Sequence, residues 1–436
     1  MNNERNRTWT ILVVATVLAV FSQGLWAAGA DDAIGIRYTP LAALAAGEGE
    51  AEPDLLTDAL VGGSLKLNIR GRVEFVDQDG LQNSDAVTVR TRIGYGTLPF
   101  NGFSGYIELE DIRAADSGSY NAAGLNGQPG KAVIADPEDS EVNQAYVKYV
   151  GGEQFPFPVT IIGGRQIISL DDQRFVGAVP WRQNEQTFDA VVVKVVPIEG
   201  LNVLYGYIAD VNTIFGPDAN RDLRSDSHLI NAAYACPGGT LVVFGYFLDF
   251  SNSAATSVDT YGVRWVGKHK VNEDTSLGYI LSYAKQEDAG SNPTNYDADY
   301  YLLEGTVTHK NVTGGVGFEV LGSDNSKAAF ITPLGTNHKF NGWADVFNVA
   351  APTPAGGLED LYVFVGAPLP GGFKGKVAFH WFHGDDSGGK LGNELNIVAT
   401  KAINAHLAFL AKFAMYDGKG MLADRTKLWF SLELKN

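Results

Sequence analysis

The chain has 436 residues, 45% of them hydrophobic, 11% aromatic and only 19% charged, with 51 glycines and a formal net charge of −17. So acidic a surface repels nucleic acid and argues against a nucleic-acid role. The lone cysteine, Cys236, excludes an intramolecular disulfide, and the absence of CxxC pairs, grouped histidines, P-loop or GxSxG patterns leaves no metal site, cofactor site or enzyme motif to build on.

Arg5 and Arg7 precede an apolar run, Ile11–Phe21, and Ala28-Gly29-Ala30 offers small residues for cleavage, so residues 1–30 read as an export signal. Residues 31–62 are rich in Ala, Glu and Gly and lack alternation; they read as a flexible or helical periplasmic leader. No later stretch approaches the roughly 20 apolar residues of a spanning helix. A membrane location therefore requires a closed barrel, because unpaired backbone groups are too costly in lipid.

From Gly63 the pattern changes to strands. Leu65, Leu67, Ile69, Val73 and Phe75 occupy one face, and Lys66, Asn68, Arg70, Arg72 and Glu74 the other. Each Arg or Lys facing lipid at mid-membrane costs ~2–4 kcal/mol, so three would cost about 10 kcal/mol, and the charged face must point to the lumen. Similar segments recur to the end of the chain, among them 85–98, 102–112, 142–150, 159–166, 187–195, 260–267, 275–285, 299–309, 373–383 and 426–434. Both faces of Leu241–Phe247 are apolar, which leaves its facing open. The connections alternate: short turns such as LPFNG, VPIEG, CPGG and LPGG against long segments such as 113–141, 167–186, 211–227 and 322–359. Nine long and eight short connections imply eighteen strands. The pattern predicts an all-β fold, a closed antiparallel transmembrane barrel over residues 63–436, with short periplasmic turns and long extracellular loops. Tyr and Trp near strand ends, including Tyr205, Tyr207, Tyr261, Trp265, Tyr279, Tyr283, Trp381 and Trp429, suit its aromatic girdles.

The chemistry candidates are lumen-facing cations: Lys66, Arg70, Arg72, Arg90, Arg92, Arg165 and Arg264, joined from the 167–186 connection by Arg174 and Arg182. Gln183, Gln186 and Asp189 complete a polar wall suited to carboxylated or hydroxylated solutes, since Arg presents a fixed fork to a carboxylate. Two readings stay open: a conduit that lowers the barrier for an anion, or a ladder in which each Arg neutralises a carboxylate such as Glu74, Glu108 or Glu110. The insertions 113–141 and 322–359 are candidates for a constriction; the second carries Asn337, His338, Phe340, Trp343 and Phe347, suited to stacking on sugar rings or to packing on themselves. Glu108 and Glu110 alone make a weak case for a glycosidase.

The runs GRQ, LDDQRFVG and WRQNEQTFDA within Gly163–Ala190, and PLGTNHKFNGWADVF at Pro333–Phe347, resemble the alginate-export family of outer-membrane barrels. The resemblance implies an arginine-rich pore passing a polyuronate, with Arg165, Arg174 and Arg182 on the family's motif. The expected partners are an anionic oligosaccharide or small anionic solute, and outer-membrane lipid. The alternatives are a general or sugar-acid uptake porin and, in another class, a secreted carbohydrate-binding β-sandwich.

Overall fold

The computed structural model describes residues 53–152, 154–347 and 353–436. The export signal, and most of the leader, lie outside them. A short helix, α1 (Leu56–Val61), precedes the wall and buries Ala59. It is held against the short-turn end by Leu98 N donating to Ala59 O (3.1 Å) and Tyr95 Oη donating to Leu60 O (2.8 Å).

The wall runs β1 (Ser64–Gln78), β2 (Ser84–Gly96), β3 (Phe103–Ala114), β4 (Asp139–Gly151), β5 (Val159–Gln166), β6 (Thr187–Ile198), β7 (Leu201–Asn212), β8 (Leu223–Cys236) and β9 (Gly239–Leu248). It continues with β10 (Val258–Lys270), β11 (Thr275–Asp288), β12 (Asp297–His309), β13 (Val312–Leu321), β14 (Leu358–Leu369), β15 (Phe373–His383), β16 (Lys390–Ala402), β17 (Leu407–Gly418) and β18 (Arg425–Lys435). All eighteen strands form one antiparallel sheet in chain order, and β1 also pairs with β18, from Asn68↔Lys435 to Gln78↔Arg425. That seam removes both sheet edges, which a wall in lipid requires.

The strict alternation explains the facing. Even-numbered residues of β1 and β2 point inward, and Leu65, Val87, Val89 and Ile93 form part of an exposed apolar outer belt. Pairing carries the parity round the ring and settles β9, whose Val242, Phe244 and Tyr246 face inward and are buried while Leu241, Val243 and Phe247 face out. The girdle reading fails at Trp429. It sits between outward Leu428 and Phe430, so parity turns it inward, where it is fully buried.

Three long connections fold into the barrel. Segment 115–138 packs Tyr120, Ala122, Ala132 and Ile134 against Val76 and Ala86 of β1 and β2. Segments 167–186 and 322–357 contribute Phe175, Trp181, Phe330, Leu334, Trp343 and Phe347 to one apolar cluster with inward side chains of β6 through β18. Burial of such side chains stabilises by about 1.5–3 kcal/mol each, which gives these segments a fixed position. The lumen is therefore filled on its long-loop side. Toward the short turns, inward side chains such as Lys66, Lys194, Lys268 and Lys376 remain at least partly exposed.

Glycine shapes that open half. A Cβ on Gly317 would stand 2.2 Å from the Tyr362 ring, and one on Gly315 2.5 Å from the Phe364 ring, so both rings lie flat on the wall. Gly317→Ala is expected to lift Tyr362, break its 2.6 Å bond to Glu304 and cost about 1–3 kcal/mol, read as a lower temperature for the folded-to-unfolded gel-mobility transition.

Candidate functional site

The candidate site is the zone where the inward segments meet the charged wall of β1–β3 and β18. Arg182, from segment 167–186, reaches three carboxylates on different elements. Its Nη2 lies 2.8 Å from Asp345 Oδ2, and its Nη1 lies 3.2 Å from Glu74 Oε2 and 3.8 Å from Asp136 Oδ2. Lys427 joins the node, 2.7 Å from Asp345 and 3.7 Å from Glu74. His338 Nδ1 meets Asp345 Oδ1 at 2.5 Å. One arginine thus links all three inward segments to β1.

The remaining arginines repeat the pattern. Arg70 donates to Gln183 Oε1 (2.9 Å), Pro180 O (2.9 Å) and Arg182 O, so it holds the backbone of the segment. Arg72 lies 3.6 Å from Asp136 and 4.3 Å over the Trp181 ring. Arg90 bridges Glu433 (3.4 Å) and the Gln183 carbonyl (3.3 Å). Arg92 binds Glu110 and, at 2.6 Å, Glu185. Arg174 pairs with Glu319 (2.8 Å) and donates to Asn341 (2.8 Å) above the Phe340 ring. Arg264 pairs with Asp172 at 2.8 Å. Gln183 Nε2 donates to Thr88 Oγ1 (2.8 Å), and Gln186 Nε2 donates to the Gly177 (2.8 Å) and Leu334 (3.2 Å) carbonyls, clamping one inward segment to the other.

Beside this lies a cage of rings. Lys412 Nζ stands 4.0 Å from the centroids of both Trp181 and Trp343 and 2.7 Å from His338 Nε2. His338 stacks on Trp181 with centroids 4.4 Å apart and planes 7° apart. A cation so placed gains from the ring quadrupoles where water is excluded. Burial holds the His338 imidazole well below its ordinary pKa, despite Asp345. Burial would raise the Asp345 carboxyl, but His338, Lys427 and Arg182 together hold it well below the usual carboxylate range.

Of the residues singled out from the sequence, Arg70, Arg72, Arg90, Arg92, Arg174, Arg182, Gln183, Gln186 and Arg264 come together inside the barrel, all buried. Arg165 and Asp189 do not join them. The register pairs them with each other on the face that carries Val191 and Val193, opposite inward Phe188, Ala190 and Val192, so they point outward and bond at 2.8 Å. Their outward facing corrects the expectation that these two line the lumen; the strand is two-sidedly apolar and its parity is fixed only by its neighbours. Glu108 is held by Tyr106, Asn143 and Gln144, while Glu110 is held by Arg92. Lys412 gives no facing signal in the sequence because Leu407–Met415 is otherwise apolar on both faces. Asp136 and Asp345 carried no period to mark them. The acidic excess lies elsewhere, including outward Asp189, Glu287, Asp297 and Asp299 near the long loops.

A closed wall with an apolar outside, a charged inside and inward-folded loops defines the porin class of outer-membrane β-barrel. The chain belongs to the Alginate export family, whose model matches residues 64–356. Among solved structures it is similar to Acinetobacter baumannii OccAB4, at 14% identity and TM-score 0.66, covering 86% of this chain and 98% of that one. Pseudomonas aeruginosa OpdK with vanillate gives the same four values. OpdL, also from Pseudomonas aeruginosa, matches at 14% identity and TM-score 0.65, over 86% of this chain and 99% of that one. No curated protein sequence matches the chain.

Proposed function

We propose that the protein is a channel for carboxylated or hydroxyl-rich solutes, with an alginate-like polyuronate as the substrate its family suggests. The observation that carries this reading is the set of cations on the inner face, with Lys66, Lys194, Lys268 and Lys376 still open toward the short turns, in a chain whose formal net charge is −17. Arg70, Arg72, Arg90, Arg92, Arg174, Arg182 and Arg264, with Gln183 and Gln186, hold the loops that narrow the path, most of these arginines set against carboxylates. Positive charge left open on such a wall lowers the barrier for an anion in low-dielectric surroundings. The chain reaches the membrane by export, led by residues 1–30, with 31–62 on the periplasmic side.

A second reading, uptake of small carboxylates, is favoured by the fold likeness to OpdK, whose structure was solved with vanillate. Planar-bilayer recording separates the two. The purified barrel is expected to conduct in steps, to prefer chloride over potassium, and to be blocked by uronate oligomers at lower concentration than by vanillate. Block by vanillate alone selects the second reading, and a soluble, non-conducting product overturns both.

A further inference from the structure

The buried arginines are engaged with carboxylates and loop backbone, so they are poorly placed to meet a solute first. The cations that remain open to the lumen lie nearer the short turns. Parity places Lys66 of β1, Lys194 of β6, Lys268 of β10 and Lys376 of β15 on the inner face. All four are exposed or half-buried, whereas Arg72, Arg90 and Arg174 are at most 3% exposed.

We propose that this short-turn half is a binding vestibule for a carboxylated oligosaccharide, and that these lysines meet its carboxylates. The proposal rests on the channel reading and moves first solute contact from the arginines to the lysines. Rings share the same half. Tyr106 and Tyr146 lie 5.6 Å apart, Tyr362 and Phe364 lie stacked at 6.4 Å, and Lys376 stands 4.2 Å over Phe364. Flat rings over wall glycines offer apolar faces to the C–H side of a pyranose, and the neighbouring ammonium groups meet its carboxylate. Small inorganic anions use only the second feature. Glu304 and Glu433 also face this half; each is bonded, Glu304 to Tyr362 (2.6 Å) and Glu433 to Asn68 (2.8 Å), with Arg90 3.4 Å from Glu433. The outer rim near the long loops carries outward carboxylates such as Glu287, Asp297 and Asp299. An anionic chain is then captured from the short-turn side.

The test adds a uronate oligomer to one side of a bilayer at a time. The wild-type channel is expected to be blocked at lower concentration from the short-turn side, with the preference fading as salt rises. In the triple variant Lys66→Gln, Lys194→Gln, Lys376→Gln, the blocking concentration from that side should rise tenfold or more, roughly the scale on which a like-signed cleft raises local counter-ion concentration. Arg113→Gln, an exposed charge at the other end, should change nothing. Retained conductance with equal block from both sides, or an unaltered triple variant, overturns the vestibule. Binding of a fluorescent uronate oligomer to the detergent-solubilised barrel keeps the two readings separable. Binding that is lysine-dependent in a barrel that fails to conduct supports the vestibule and sinks the channel. Binding that ignores the lysines sinks the vestibule alone.

Discussion

Replacing Arg182 by alanine is expected to release both central inward segments and to raise single-channel conductance. Arg182 is 5% exposed, and its guanidinium serves Glu74, Asp136 and Asp345 together. Removing it leaves three carboxylates crowded in a dry site with Lys427 and Arg72 as the remaining cations of the node. Breaking a buried ion pair by deleting one partner costs about 3–5 kcal/mol, enough to undock a loop without opening the wall. Arg182→Lys keeps the charge but loses the fork, and should fall between wild type and alanine. Adding Asp345→Asn to the alanine variant should recover part of the loss, because an unpaired buried charge is the main penalty. Conductance and melting both equal to wild type would remove Arg182 from the centre of this account.

The second large effect is one of pH. An undocked His338 takes a proton near its ordinary value of about 6.5, while the docked ring does so only at much lower pH. Between those values the undocked state binds more protons, so docking is fully stable above about 6.5 and weakens as pH falls, by up to ~1.4 kcal/mol per unit. Asp345 acts in the same direction further down, because its undocked carboxyl takes a proton near about 3.9 and its docked one well below that. The groups facing the ring are Asp345, Lys412, Trp181 and Trp429, so tryptophan emission reports the change directly. Conductance and emission should both move as pH falls below about 6.5, and His338→Gln should flatten that limb while leaving the acid one. An identical profile in the variant would show that another group titrates.

The wall was legible because its physics is local. A two-residue period, a steep penalty for charge in lipid, and alternating connection lengths were enough to give eighteen strands and the facing of β1 and β2. What the sequence hid is set by partners far along the chain. The parity of β5 and β6 depends on neighbouring registers, which turned Arg165 and Asp189 outward. Trp429 fits a girdle by residue type, but its flanking leucine and phenylalanine imply the opposite face. The arginines were visible as a cationic set, but their partners Asp136, Asp172, Glu319 and Asp345 sit in irregular segments that carry no period. Phe340, Trp343 and Phe347, equally suited to sugar or to self-packing, pack within the barrel.

The two central segments spring from nearly opposite points of the ring, one between β5 and β6 and the other between β13 and β14, eight strands away in a circle of eighteen. Their handshake at Arg182 and Asp345 is therefore a strut across the diameter. A thin cylinder under lateral pressure from lipid tends to flatten into an ellipse, and a cross-brace resists that directly. Cutting the brace softens the whole ring, so strands far from the cut should exchange their amide protons sooner.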